Sequence, residues 1–498
     1  MNETTLSTGK SEAFISLKAA ALFVFAFGLY FLTHSPALDE IDSVQFAMGI
    51  RDFNLWAHQP HPPGYPLFIF LGWIGAEVLR LSPETSLYLV SSLGGALFIA
   101  SWFLILRLQF NERLAWWVAL SLTVTPAVWM TATKVLSDSL ATGLLSAEIL
   151  AALYFLKRGQ ASALLAAGLF GAAAAGARPQ LILVVCLIMG TALKQRRGGF
   201  GNLIVGWSSL LLGCLLWLLP MCYLQARLRS DVSFWAVYPR LVYGQWLWRM
   251  DKPSVYLGAG DWSPHYLAWR LVAHFLGWLG LGFGFLQSTF AMVAGVTFVM
   301  GGLFLYFWWE REPEDREFWR FHRLWALVHI AVIFICLPPD QRYYLIIFPL
   351  LLVGLLRGFL RLRPYWNWLA LVLPLLLLGI VIPLAIENHR EAAPPMRVVA
   401  YLERLYPPQQ RKKVALLLVA ARRHAEWYAP EFKTFGVIPP PADLPRLLAD
   451  FSAVYTDNPQ IKLPPGWRRV PLVLYRRPFL VHMKNHSVTL FLIDRPLH

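Results

Sequence analysis

Apolar runs of about 20 residues recur along this chain, and no other feature restricts its fold so severely. Each is long enough to cross the hydrocarbon of a bilayer as a helix, the conformation that satisfies every backbone polar group within the segment. Phe14–Thr33 is the first; Leu87–Leu106, Leu203–Leu224 and Trp368–Ile386 are among those that follow. With 57% hydrophobic and 15% charged residues, the chain reads as an α-helical polytopic membrane protein. Phe14–Thr33 is long for the apolar core of a signal peptide. Cutting after Ser35-Pro36-Ala37 would strand the acidic residues that follow at a free terminus, so this run reads as an uncleaved span.

Short basic loops orient the spans. With the N-terminus inside, Phe14–Thr33 crosses outward, and Leu67–Leu81, short and interrupted by Gly72, Gly75 and Glu77, reads as re-entrant. Leu87–Leu106, Leu114–Met130, Leu140–Leu156, Ala161–Ala177, Leu181–Leu193 and Leu203–Leu224 then alternate. One crossing falls within Tyr266–Trp309, after an interfacial segment, and Leu324–Leu337, Leu345–Leu356 and Trp368–Ile386 complete the set. The total is about eleven transmembrane helices. Threaded so, Asp39, Glu40, His61, Asp138, Arg178 and Arg342 all face one side, the outer one.

Residues 1–386 form the membrane domain of this scheme. In residues 387–498 charge rises, Pro-Pro pairs recur and membrane-length runs end. Helices over Arg397–Leu405 and Leu444–Ala449, with strands over Val414–Val419, Val470–Tyr475 and Val488–Leu492, predict a small soluble α/β domain on the outer face. The net charge of +15 lies in short loops and in this tail, with no folded basic module for nucleic acid. The four cysteines lie in or beside apolar runs without metal-site spacing or a disulfide framework.

The stretch Leu38–Pro66, LDEIDSVQFAMGIRDFNLWAHQPHPPGYP, carries the densest ionisable chemistry of the N-terminal half. Ile41, Val44 and Met48 share one face of an expected amphipathic helix lying along the membrane surface within Asp39–Phe53. The Pro62–Pro66 run stops any helix. Asp39, Glu40 and Asp42 open this stretch, and His58 and His61 close it. The histidines suit substrate contact or plain exposure, or with Asp39 and Glu40 a metal site, though they lack zinc-module spacing. Asp138, beside Lys134, begins an apolar helix, where a charge is expensive unless it faces a cavity or partner; a helix N-cap is the plainer alternative. Arg342, in PPDQRYY with Tyr343, is suited to clamp a phosphate, or to snorkel to headgroups. Arg178, before Pro179, is a weaker case of the same kind.

In these residues the chain resembles the GT-C superfamily of membrane glycosyltransferases, near the branch of protein O-mannosyltransferases and lipid A aminoarabinose transferases. The Asp39-Glu40 pair in the first outer loop, the HQPHPPGYP segment, Asp138 in KVLSDSL and the Arg342-Tyr343 turn running into FPLL carry the resemblance over about residues 14–360. His61 stands where relatives often have Lys. The resemblance implies a multi-pass protein of the bacterial inner membrane with its C-terminal domain in the periplasm. It also implies inverting transfer of a sugar from a polyprenyl-phosphate donor to a lipid, glycan or protein acceptor. Such a reaction needs a base for the acceptor proton and cations for the departing phosphate. Asp39 is the expected base, with Glu40 and Asp138 orienting acceptor or a divalent cation (Mg or Mn). Arg342, Tyr343, Lys134 and Arg178 would hold donor phosphate, and Asp42, His58 and His61 would contact substrate. A transporter or flippase for lipid-linked saccharides would use the same charges without chemistry, but no pair of halves repeats and the charged residues cluster at one face rather than at midplane. A membrane scaffold would explain the tail but not the acidic loop.

Overall fold

The computed structural model describes residues 3–196, 199–250, 263–275, 312–337, 340–361, 368–479 and 486–495. Among them, seven helices are long and apolar enough to cross a membrane, or eight if Glu112–Thr123 and Pro126–Ala132 are counted as one span bent by 59°. That pair is the expected span Leu114–Met130, broken where Pro126 cannot donate to the preceding turn. Pro66–Trp73 runs into a π-helical turn, Ile74–Val78, and is short, as expected of Leu67–Leu81. The crossing placed within Tyr266–Trp309 lies outside the described residues; the helix Pro264–Phe275 falls on the segment expected to precede it.

Helices Pro83–Gln109 and Ser137–Arg158 form the centre of the membrane domain, with 78% of their apolar windows buried, against 17% for Phe200–Leu228. The latter displays Leu211, Leu212 and Leu216, as a lipid-facing helix does. The two central helices approach through glycine. A Cβ on Gly94 would lie 2.3 Å from Leu140 Cα, and one on Gly143 would lie 2.4 Å from the Gly94 carbonyl oxygen. Both obstacles are backbone, so neither can rotate away. Gly143→Ala is expected to cost about 1–3 kcal/mol by forcing the helices apart. Gly190→Ala, whose Cβ meets nothing within 4 Å, serves as the control. Thermal unfolding of both variants in one detergent checks the difference.

The tail folds as expected into a small α/β unit. Strands β1 (Val414–Leu417), β2 (Lys433–Thr434), β3 (Ala453–Thr456), β4 (Arg468–Arg476) and β5 (Ser487–Asp494) form a sheet in the order β2-β1-β3-β5-β4. The β1 pairings with β2 and β3 are parallel, and β5 pairs antiparallel with β3 and β4. At the end of β1, the Asp457 carboxylate accepts hydrogen bonds from the Val419 and Ala421 amides, at 2.6 and 2.7 Å. That contact aims the next helix, Arg422–Tyr428, at the membrane domain.

The acidic stretch does form a helix, Ile41–Arg51, but not an interfacial one. Residues 43–50 are buried on every side. The Arg422–Tyr428 helix of the soluble domain covers the face left open by the membrane domain, so polar residues that suited water or headgroups instead meet protein.

Candidate active site

Two hydrogen bonds bring Asp39 and Lys134 together. The Ser35 amide donates to the Thr133 carbonyl at 3.2 Å, and Ser43 Oγ donates to the Val135 carbonyl at 2.9 Å. These contacts flank Asp39 on one segment and Lys134 on the other, and the two side chains form a buried ion pair. A third member comes from 438 residues away: Arg477, at the end of β4, donates from both terminal nitrogens to the two Asp39 oxygens, each at 2.8 Å. Burial alone would raise the Asp39 carboxyl, but the Lys134 and Arg477 cations hold it well below the usual carboxylate range.

A second cluster gathers on Arg342. Its turn is set by Asp340, whose carboxylate accepts from the Arg342 amide at 3.1 Å at the head of the 3₁₀ helix Gln341–Ile347. The guanidinium reaches Glu40 and Asp42 at 3.2 Å each, and Asp340 at 3.1 Å. Burial raises the Glu40 carboxyl above its ordinary value, with Arg342 opposing. Arg178 pairs with Asp138 at 2.6 Å, and the Arg178 and Arg342 guanidiniums lie 4.9 and 5.2 Å from the Tyr343 ring. His61 bridges Gln45 Oε1 (2.9 Å) and Tyr65 Oη (2.8 Å), and its Nδ1 lies 3.7 Å from Asp42. Asp138, Arg178, His329, Arg342 and Tyr343 line a cavity of about 30 Å³, with room for about two waters. A sugar needs a wider opening.

Nine of the ten residues singled out in the sequence thus converge: Asp39, Glu40, Asp42, His61, Lys134, Asp138, Arg178, Arg342 and Tyr343. His58 does not. It closes the one-turn helix Leu55–Ala57 in a left-handed conformation (φ 56°), is exposed, and has Arg422 and Arg423 as its charged neighbours. The plainer readings of two others also fall away. Leu136, not Asp138, occupies the N-cap of Ser137–Arg158, and Arg342 is buried rather than snorkelling. Among the described residues, no group of three or more His, Cys, Asp or Glu is placed to hold a metal ion. Asp39, Glu40 and Asp138 are each held by different cations, an arrangement that does not fit a shared divalent ion.

Sequence reasoning missed Arg477, His329 and the helix Arg422–Tyr428. That helix reads the main chain of the acidic loop: Tyr428 Oη accepts from the Leu38 amide, and His424 Nε2 donates to the Leu38 carbonyl, both at 3.1 Å. Burial pushes the His424 imidazole down to about 4, against the opposing pull of Asp39. Its ordinary value is 6.5. An undocked His424 therefore takes up a proton at higher pH than a docked one, and docking is fully present above about pH 6.5 and lost progressively as pH falls towards 4. Hydrogen exchange over residues 33–40 should rise across that window, and His424→Gln should flatten the rise.

A family profile described as dolichyl-phosphate-mannose-protein mannosyltransferase matches residues 60–223. A protein O-mannosyl-transferase of Dictyostelium discoideum, tmem260, is 30% identical over 140 residues, which is 26% of this chain and only 16% of that protein. Similarity to solved structures runs over most of the chain. The structure of ArnT from Cupriavidus metallidurans bound to undecaprenyl phosphate aligns over 97% of this chain and 98% of its own, with a TM-score of 0.57 at 13% identity. This chain has the GT-C fold. A second GT-C structure, the Archaeoglobus fulgidus oligosaccharyltransferase, aligns over 88% of this chain and 68% of its own, with a TM-score of 0.51 at 13% identity. The GT-C resemblance read from the Asp39-Glu40 pair and the Arg342-Tyr343 turn is thus borne out in the fold, and the soluble tail is part of the region shared with ArnT.

Proposed function

We propose that this chain is an inverting membrane glycosyltransferase. It moves a sugar from a polyprenyl-phosphate carrier to an acceptor on the membrane face covered by the soluble domain. The observation that carries this reading is the convergence of buried Asp39 and Asp138 with Lys134, Arg178 and Arg342 beneath that domain, in a fold aligned end to end with a structure bound to undecaprenyl phosphate. Asp39 accepts the proton of the acceptor hydroxyl as its oxygen bonds to the anomeric carbon. The bond from that carbon to the phosphate oxygen breaks, its electron pair stays on the phosphate, and cations of the site stabilise the charge that develops there. Glu40 and Asp42 hold Arg342 in place, and Asp138 holds Arg178.

The positive short loops support a cytoplasmic N-terminus with the soluble domain on the opposite face, and the full-length similarity to a Cupriavidus structure favours a bacterial inner membrane, with that face periplasmic. The deciding experiment offers purified protein a set of polyprenyl-phosphate sugars together with envelope lipid, glycan and peptide acceptors. Release of polyprenyl phosphate matched by a new glycoside supports the transferase and names its acceptor. Movement of intact donor across vesicles, with no release, would make the chain a transporter instead.

A further inference from the structure

The proposed base is engaged twice over. Asp39, Lys134 and Arg477 are all buried, and both Asp39 oxygens are bonded. A carboxylate held by two cations accepts a proton poorly, so one cation has to withdraw before Asp39 can act. Lys134 belongs to the membrane domain, in a segment pinned on both sides through Thr133 and Val135. Arg477 belongs to the soluble domain. Its guanidinium also donates to the Glu391 carbonyl at 2.6 Å, its amide donates to the His486 carbonyl at 2.9 Å, and the Phe479 amide beside it donates to Glu387 at 3.0 Å. Arg477 Nε is buried with no hydrogen-bond partner among the described residues, so the fork has a donor to spare. A guanidinium bidentate on carboxylate makes the same paired bonds to phosphate.

Building on the transferase reading, we propose that Arg477 is a donor-phosphate ligand delivered by the soluble domain, and that donor binding draws its guanidinium from Asp39 onto the phosphate. One movement then frees the base and adds a cation where the leaving group gains negative charge. The acceptor proton goes to Asp39, and the electron pair of the broken carbon–oxygen bond goes to the phosphate that Arg477 holds.

The test measures binding of undecaprenyl phosphate to full-length protein in nanodiscs, for wild type, Arg477→Gln, Arg477→Lys and Asp39→Asn. Thermal unfolding selects preparations that are folded. Loss of a charge-assisted contact predicts that Arg477→Gln binds about 10- to 100-fold more weakly. Arg477→Lys should fall between Gln and wild type. Asp39→Asn should bind more tightly than wild type, because the guanidinium no longer has a carboxylate to leave, and this gain should shrink in the Arg477→Gln background. If Arg477 only fastens the domain, folded Arg477→Gln binds like wild type and this inference falls while the transferase stands. If wild type fails to bind the lipid phosphate at all, both fall together.

Discussion

Asp39→Asn should lower sugar transfer by about 10²–10⁴-fold, the range supplied by a positioned base, while the protein is made and remains folded. Asparagine keeps an oxygen for Arg477 and Lys134 but cannot take the acceptor proton. Product formation per mole of folded protein is the readout, with donor binding measured alongside. Loss of turnover with binding kept or strengthened is the expected pattern. Turnover within a few-fold of wild type would remove Asp39 from the base role and leave Asp138, with its Arg178 partner, as the carboxylate to test.

Arg342→Gln should have the largest effect on stability. The guanidinium lies between Glu40, Asp42 and Asp340, and its removal leaves three carboxylates facing one another. Breaking a buried ion pair from one side costs about 3–5 kcal/mol, and the low end applies because Asp42 and Asp340 keep partial access to water. The loss should also depend on pH in a defined direction. Burial already raises the Glu40 carboxyl, and without Arg342 it rises further, so protonation relieves the repulsion. The gap between wild type and Arg342→Gln should therefore narrow as pH falls. Unfolding measured at neutral and mildly acidic pH checks this, and a constant gap would mean that Glu40 does not feel Arg342. Arg342→Lys keeps one charge but cannot serve three carboxylates at once, and should fall between.

The legible part of the site was legible because charge beside an apolar run is costly and invites a reason. That logic picked out Asp39, Asp138, Lys134, Arg178 and Arg342, and all converge. It could not find Arg477, because an arginine in a soluble tail is unremarkable among the 44 Lys and Arg residues of the chain. His58 shares a loop with His61 but not its surroundings, because a left-handed turn at His58 directs it to the exposed surface. Periodicity in Ile41–Arg51 points to a membrane surface because it reports which face is apolar, not which part of the fold covers the polar one. In the fold, helices and strands are readable from run length and alternation, and Pro126 marks the break in its span, whereas the 59° angle of that bend is set by packing that composition does not encode.

The soluble domain grips the main chain of Leu38 by its amide and its carbonyl, one residue before Asp39. A grip on main chain ignores which side chain stands at position 38, so substitutions there should pass if they fit the space. It does not ignore spacing. One residue inserted between Ser35 and Asp39 would leave Tyr428 and His424 holding a neighbouring peptide and shift the carboxylate out of reach of its two cations. In this short connector, segment length is the quantity on which the site's assembly depends.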